Sequence, residues 1–462
     1  MLVRLVAIVG MLAFGACSEP PTSEPGPTTA TDAGGGTAPT ARPNILLVIA
    51  DDLGADVAPC MASDSNRLPM AGVEALCAKG VVFNTTWSNP TCSPTRATML
   101  TGRYSFRTGM GQQLLGNGSQ ALSLQETTLP QLLKSDFGVA YASAAFGKWH
   151  LANSSNGGDA HPNSSGFDAY AGLMIGAHRD YYSWARTENG QTQTVDDYST
   201  TRIADDAISW LGEQDKPWFL WLAFTAPHTP FHAPPSHLHA QTGLVGTTDH
   251  INSNRSRYYA AAAEALDREM SRVFQAIGES QLDNTWIIFV GDNGTPGQVI
   301  PAPGTRRRAK GTLYEGGIHV PMVIAGPGIS APGRSVETPV NLADLFATIG
   351  DMAGRDSATM NADRLVDSVS LMPYLLAADA APQRQWAYSE IFGPDIDTAS
   401  EGRTARDARY KLIRFDNGER ALYDLENDPG EADDLLRRDL GSAEQAAYDE
   451  LDATIIDLSG RP

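Results

Sequence analysis

The sequence predicts an α/β layered domain with a mainly parallel sheet, followed by a small antiparallel α+β appendage. Three observations point there. Continuous apolar runs, Asn44-Ile-Leu-Leu-Val-Ile-Ala50, Trp218-Phe-Leu-Trp-Leu-Ala-Phe224, Trp286-Ile-Ile-Phe-Val290 and Val320-Pro-Met-Val-Ile-Ala325, read as strands buried on both faces. Helical patterns lie among them at 201–212, 256–278 and 340–354. Alternation of buried strands with helices implies a layered fold whose sheet is mainly parallel. After about residue 375 the pattern changes to short strands at 386–390, 410–415 and 421–425 and a helix over 442–458.

The 462 residues suit two or three average domains, or one large α/β domain with an appendage. The formal net charge of −20 disfavours nucleic acid, or any broad anionic surface, as a partner. One local exception is Arg306-Arg-Arg-Ala-Lys310, which is either an anion site or a solvated charge run.

The chain opens with Arg4 and a short apolar stretch, Leu5 to Ala16, too short to span a bilayer. Ala13-Phe-Gly-Ala16 before Cys17 resembles a bacterial lipoprotein box, whose cysteine becomes acylated. Phe14 departs from the usual leucine, and ordinary secretion is the alternative. The expected location is the outer membrane or periplasm, with the membrane reached through the lipid. Residues 18–42 are rich in Pro, Thr, Gly and Ala and cannot build a core. Such a coil has a reach of roughly 25–30 Å. The expected division is 1–17 signal and lipidation cysteine, 18–42 tether, 43–375 catalytic domain and 376–462 C-terminal subdomain.

Cys92-Ser-Pro-Thr-Arg96 opens a predicted helix, with proline in the first turn and Gly102 as its stop. Arg96 then lies one turn below Cys92 on the same face. A helix N-terminus with a guanidinium beside it is suited to a tetrahedral oxyanion. Asp51-Asp52 follows the first strand and Asp292-Asn293 a later one. In an open α/β sheet that is where ligands bind. Four hard oxygen donors select Ca²⁺ or Mg²⁺ over zinc. A strand at 139–145 precedes Gly147-Lys148-Trp149-His150, and in extended chain Lys148 and His150 point to one side.

Cys92-x-Pro-x-Arg96 with Ala97-x-x-Leu100-Thr-Gly-Arg103 resembles the type I sulfatase signature. That family has an alkaline-phosphatase-like fold. Gly147-Lys-Trp-His150, Ala226-Pro-His228-Thr-Pro and Lys310-Gly-Thr-Leu-Tyr-Glu-Gly-Gly-Ile-His-Val-Pro321 are similar to further family motifs, and Leu422 to Glu431 to a stretch near its carboxyl end. The resemblance implies that a formylglycine-generating enzyme converts Cys92 to formylglycine. Its hydrate attacks sulfur of a sulfate monoester. Asp51, Asp52, Asp292, Asn293 and residue 92 would hold one divalent cation, Ca²⁺ with Mg²⁺ as the alternative. Asp292 would help ionise the hydrate. Arg96, Lys148 and Lys310 would offset sulfuryl charge. His228 would be the general acid, and His150 would remove the proton that lets sulfate leave.

Related phosphodiesterases and phosphonate monoester hydrolases usually carry histidine where Asn293 stands. Such a hydrolase is the alternative enzyme, and a non-enzymatic lipoprotein binding sulfated glycan is the alternative of another class. His319 replaces the family's usual arginine. His232, His237 and His239 read as solvated loop histidines. Cys60 and Cys77 either pair in an oxidising compartment or sit as buried thiols.

Overall fold

The computed structural model describes residues 42–134, 140–300, 306–355, 366–394, 397 and 399–460. The signal stretch, Cys17 and nearly all of the tether lie outside them. The strands in chain order are β1 (Asn44–Ala50), β2 (Val81–Phe83), β3 (Thr86–Trp87), β4 (Ala142–Gly147), β5 (Ala169–Gly172), β6 (Trp184–Glu188), β7 (Gln191–Val195), β8 (Trp218–Phe224), β9 (Thr285–Gly291), β10 (Met322–Ala325), β11 (Arg334–Val336), β12 (Val340–Asn341), β13 (Ala387–Ile391), β14 (Gly402–Arg406), β15 (Tyr410–Phe415) and β16 (Arg420–Asp424).

Ten strands form one sheet, ordered β11-β2-β10-β9-β1-β8-β4-β5-β6-β7. Its centre is parallel: β9, β1, β8 and β4 run together, with β5 beside them. Both margins bring in antiparallel pairings: the run ending in Ala325 pairs antiparallel with β9 and β2, and β6 with β5 and β7, while edge strand β11 is parallel to β2. Within β1 the side chains alternate between two cores. Ile45, Leu47 and Ile49 join one, and Leu46, Val48 and Ala50 the other. The amphipathic helices Ser199–Leu211 and Arg255–Ile277 cover the second face.

The segment at 340–354 is not one helix. Val340–Asn341 is a strand, and Asn341 and Asp344 form a reciprocal capping box that starts the helical turns. The helix proper is Leu345–Met352. The C-terminal part carries four antiparallel strands, β13-β14-β15-β16, under helix Ser442–Gly460. Ala405, Tyr410, Leu412 and Leu422 of that sheet pack against Ala447, Leu451 and Ile455. Cys60 and Cys77 are disulfide-bonded, with Cα atoms 6.6 Å apart.

Register fixes the place of chemistry. Ala50 pairs with Gly291 on one side and Phe224 on the other, and Gly147 pairs with Ala223. Four parallel strands therefore end level, and the next residues of each, Asp51, Asp292, Thr225 and Lys148, share one rim. Gly147 is required there. It has φ +103°, and a Cβ would lie 1.9 Å from the Ala223 carbonyl oxygen.

Candidate active site

Cys92 starts helix Cys92–Thr101, which Gly102 ends in a left-handed conformation. Every residue of this helix is buried, and its N-terminus faces the strand rim. Arg96 donates from Nε and Nη2 to Asp292 Oδ2 at 3.0 and 2.8 Å, and from Nη1 to the Lys148 carbonyl at 2.7 Å. This bidentate pair is fully buried. Burial works against the Arg96 charge, but Asp292 and Asp51 outweigh it and raise its pKa.

Lys148 donates to Asp51 Oδ2 at 2.6 Å and to Cys92 Sγ at 3.2 Å. Burial pushes the Cys92 thiol up, with Lys148 pulling the other way. Asp52 has φ +68°. Its amide donates to Asp292 Oδ1 at 3.1 Å, and its Oδ1 accepts from Asn293 Nδ2 at 2.8 Å and from Lys310. Burial would raise the Asp52 carboxyl, yet His228 and Lys310 hold it below the usual carboxylate range. Lys310 also feels burial first, but Asp52 raises its pKa well above the ordinary value.

Two histidines approach from loops. His228 Nδ1 lies 2.7 Å from the Thr229 carbonyl, so that nitrogen carries the proton. Its Nε2 then faces Asp52 Oδ2 at 3.6 Å. Burial lowers the His228 pKa, and Asp52 opposes this. The His150 Nε2 donates to the Leu114 carbonyl at 2.9 Å, which leaves Nδ1 as the lone-pair nitrogen. That Nδ1 is buried without a partner. Burial and Lys148 hold the His150 pKa well below its usual value.

All ten residues singled out in the sequence, Asp51, Asp52, Cys92, Arg96, Lys148, His150, His228, Asp292, Asn293 and Lys310, meet at this rim. The acids are crowded: ligand atoms of Asp51, Cys92 and Asp292, and of Asp51, Asp52 and His228, lie within 4.8 Å of one another. Asp51 Oδ1 and Asn293 Oδ1 are buried and accept no hydrogen bond. An orphaned buried oxygen is costly unless something else satisfies it. Two such oxygens among three carboxylates fit a hard divalent cation.

Several neighbours do other work. Of the basic run only Lys310 enters. Arg308 stacks 4.8 Å from the Tyr314 ring centroid and donates to the Gly430 carbonyl at 2.9 Å. His319 donates from Nε2 to the Asn84 carbonyl at 2.7 Å and faces Glu315 at 3.5 Å, a structural place. His232 is not a solvated loop histidine. It stacks on Tyr181 with ring centroids 3.9 Å apart and bonds the Tyr198 hydroxyl at 3.0 Å. Tyr181 has no motif of its own, yet its hydroxyl donates to the carbonyls of Thr225 at 3.0 Å and His228 at 2.7 Å, tying down the His228 loop.

The parallel strands thus set carboxylates, cations and Cys92 together on one buried rim past their carboxyl ends. A sulfatase family model matches residues 43–355, and a second, N-sulphoglucosamine sulphohydrolase C-terminal, matches residues 308–457. The chain belongs to the sulfatase family. It is 29% identical over 430 residues to steryl-sulfatase of Mus musculus, an alignment covering 73% of this chain and 65% of that one. The chain thus spans just under two thirds of that relative's length. The solved structure of Ps i-CgsB with k-i-k-neocarrahexaose superposes with a TM-score of 0.76 at 24% identity, covering 91% of this chain and 93% of that one. The phosphonate monoester hydrolase of Agrobacterium radiobacter superposes with a TM-score of 0.68 at 24% identity, covering 88% and 94%.

Proposed function

We propose that this protein hydrolyses sulfate monoesters to an alcohol and inorganic sulfate, with position 92 matured to formylglycine. The observation that carries the reading is one buried constellation: Cys92 at a helix N-terminus, three cations from Arg96, Lys148 and Lys310, and carboxylates with orphaned oxygens beside them. Asn293 favours the sulfate ester over the phosphonate or phosphodiester alternative.

Asp51, Asp52, Asp292 and Asn293 would hold the cation, Ca²⁺ first and Mg²⁺ second. When present, the hydrated aldehyde supplies a nucleophilic hydroxyl with a second hydroxyl beside it, and the cation stabilises the ionised form. Arg96, Lys148 and Lys310 bind the sulfuryl oxygens and offset their charge. His228 Nε2 delivers a proton to the leaving alcohol, since its Nδ1 is committed to Thr229. His150 Nδ1 takes a proton, since its Nε2 is committed to Leu114.

From the lipobox-like stretch before Cys17 we further propose that the protein, after export, is held by a lipid at Cys17 in the outer membrane or periplasm. Cys17→Ser should then move it from the membrane to the soluble fraction. The activity is tested by following sulfate release from an aryl sulfate and phenol release from an aryl phosphodiester. Sulfate ester turnover should dominate, vanish with chelator and return with Ca²⁺ or Mg²⁺. Dominant phosphodiester cleavage, or restoration by Zn²⁺ alone, contradicts the reading.

A further inference from the structure

Two segments without a charged side chain flank His150: the loop at residues 110–125, and residues 169–177, which are β5 and the loop after it. The first touches the histidine through the Leu114 carbonyl, while the Leu114 amide donates to Ser93 Oγ at 3.1 Å, next to Cys92. The second touches it through the Met174 carbonyl, which accepts from the His150 amide at 3.2 Å. It also passes so close that a Cβ on Gly176 would lie 2.5 Å from His150 Cε1.

In each loop the residue beside the contact is large, apolar and in water. Leu115 is 62% exposed and Ile175 55%. Beneath them Leu114 and Met174 are partly buried against the core. A lone exposed apolar side chain is ordinary. These are not scattered. Of the seven large exposed apolar side chains among the described residues, two, Leu115 and Ile175, directly follow the residues whose carbonyls meet His150. The nearest charged residues bounding each segment, Arg107 and Glu126 for the first and Asp168 and Arg179 for the second, are of opposite sign. A polysulfated or carboxylated saccharide needs cations around its sugar rings, and these loops offer none.

We infer that Leu115 and Ile175 form an apolar subsite for the alcohol half of the ester. The substrates are then sulfates of aryl or alkylaryl alcohols rather than of charged glycans. The inference rests on the sulfate-ester reading of the site.

Phenyl sulfate and 4-butylphenyl sulfate separate the two claims, because their phenols leave almost equally well and differ in apolar surface. The matured enzyme should favour the butyl ester in kcat/KM by about 10-fold, the scale of a small apolar contact in a specificity pocket. The double variant Leu115→Gln/Ile175→Gln should bring that ratio close to unity, whereas Leu115→Met/Ile175→Val should keep it. Loss of folding would lower both rates together and leave the ratio intact, so the ratio reads the contact. A flat ratio in the unaltered enzyme, a full ratio in the glutamine variant, or faster turnover of N-acetylglucosamine 6-sulfate than of both aryl esters would overturn the subsite while leaving the sulfatase reading in place. Absence of sulfate release from every ester would overturn both.

Discussion

Two buried clusters of charge in this molecule differ in how closely their acids are gathered. Around Cys92 the three carboxylates of Asp51, Asp52 and Asp292 crowd together, and two oxygens there are left without hydrogen bonds. Around Lys411 the acids are kept apart by cations. Lys411 Nζ lies 3.1 Å from Glu315 and 2.8 Å from Glu431, and Arg406 lies 3.4 Å from Glu315. Trp87 Nε1 donates to Glu315 as well, at 3.1 Å. Burial pushes the Glu315 carboxyl up, yet Lys411 and Arg406 hold it down at about 2. The second cluster fastens the segment after Lys310 to the C-terminal sheet. The first keeps unspent coordination. Each acid of the first cluster also faces a cation, Lys148 on Asp51, Lys310 on Asp52 and Arg96 on Asp292, so what marks it as a site is that its acids, Cys92 and His228 bring their ligand atoms within 4.8 Å of one another.

The largest expected effect breaks that contrast at the first cluster. Asp51→Asn should reduce sulfate release to background even in the fraction that stays folded by circular dichroism, because it removes a proposed cation ligand as well as the 2.6 Å partner of buried Lys148. Folded protein that still releases sulfate at the parent rate would take Asp51 out of the site. His228→Ala should slow esters of poor leaving groups by about 10²–10⁴-fold and activated aryl esters far less. Equal losses on both would remove His228 from the acid role.

At the second cluster Lys411→Met should cost about 3–5 kcal/mol, because it leaves buried Glu431 without its cation and Glu315 with Arg406 alone. Denaturant titration measures it, and a loss below about 1 kcal/mol would make this cluster no fastening at all. The smallest effect concerns a buried acid outside both clusters. Burial raises Glu390 from its ordinary 4.5 to about 7, against hydrogen bonds from the Phe106 amide and the Tyr388 hydroxyl. Its neutral form is the favoured one. The stability it contributes is therefore full below about pH 4.5 and is lost as pH rises through about 7, at most about 3 kcal/mol. Glu390→Gln should flatten the stability profile over that window, and an unchanged profile would place the titration elsewhere.

The central sheet was legible because each buried parallel strand is an unbroken apolar run that stops at a polar residue. That stop also located Asp51, Asp292 and the His228 loop. β14 was not legible: Gly402-Arg-Thr-Ala-Arg406 has no apolar run, since Arg406 is buried to meet Glu315. The β6–β7 hairpin carried a usable signal in Asn189-Gly190, both at positive φ in a tight turn. The antiparallel turn of β10 follows from pairing choices that a single apolar run does not encode. The tethers of the histidines, the Leu114 carbonyl and the Tyr181 hydroxyl, are contacts between distant segments, and no local pattern announces them.

The proposed chemistry turns on one atom, the sulfur of Cys92. The tryptic peptide 80–96 of protein purified from its natural source contains it. In a preparation that releases sulfate, the peptide should be lighter than the unmodified sequence by exchange of one sulfur and two hydrogens for one oxygen, or heavier than that by one water as the hydrate. Cys92→Ala should release no sulfate. An intact thiol in protein that turns over sulfate esters at full rate would contradict the account.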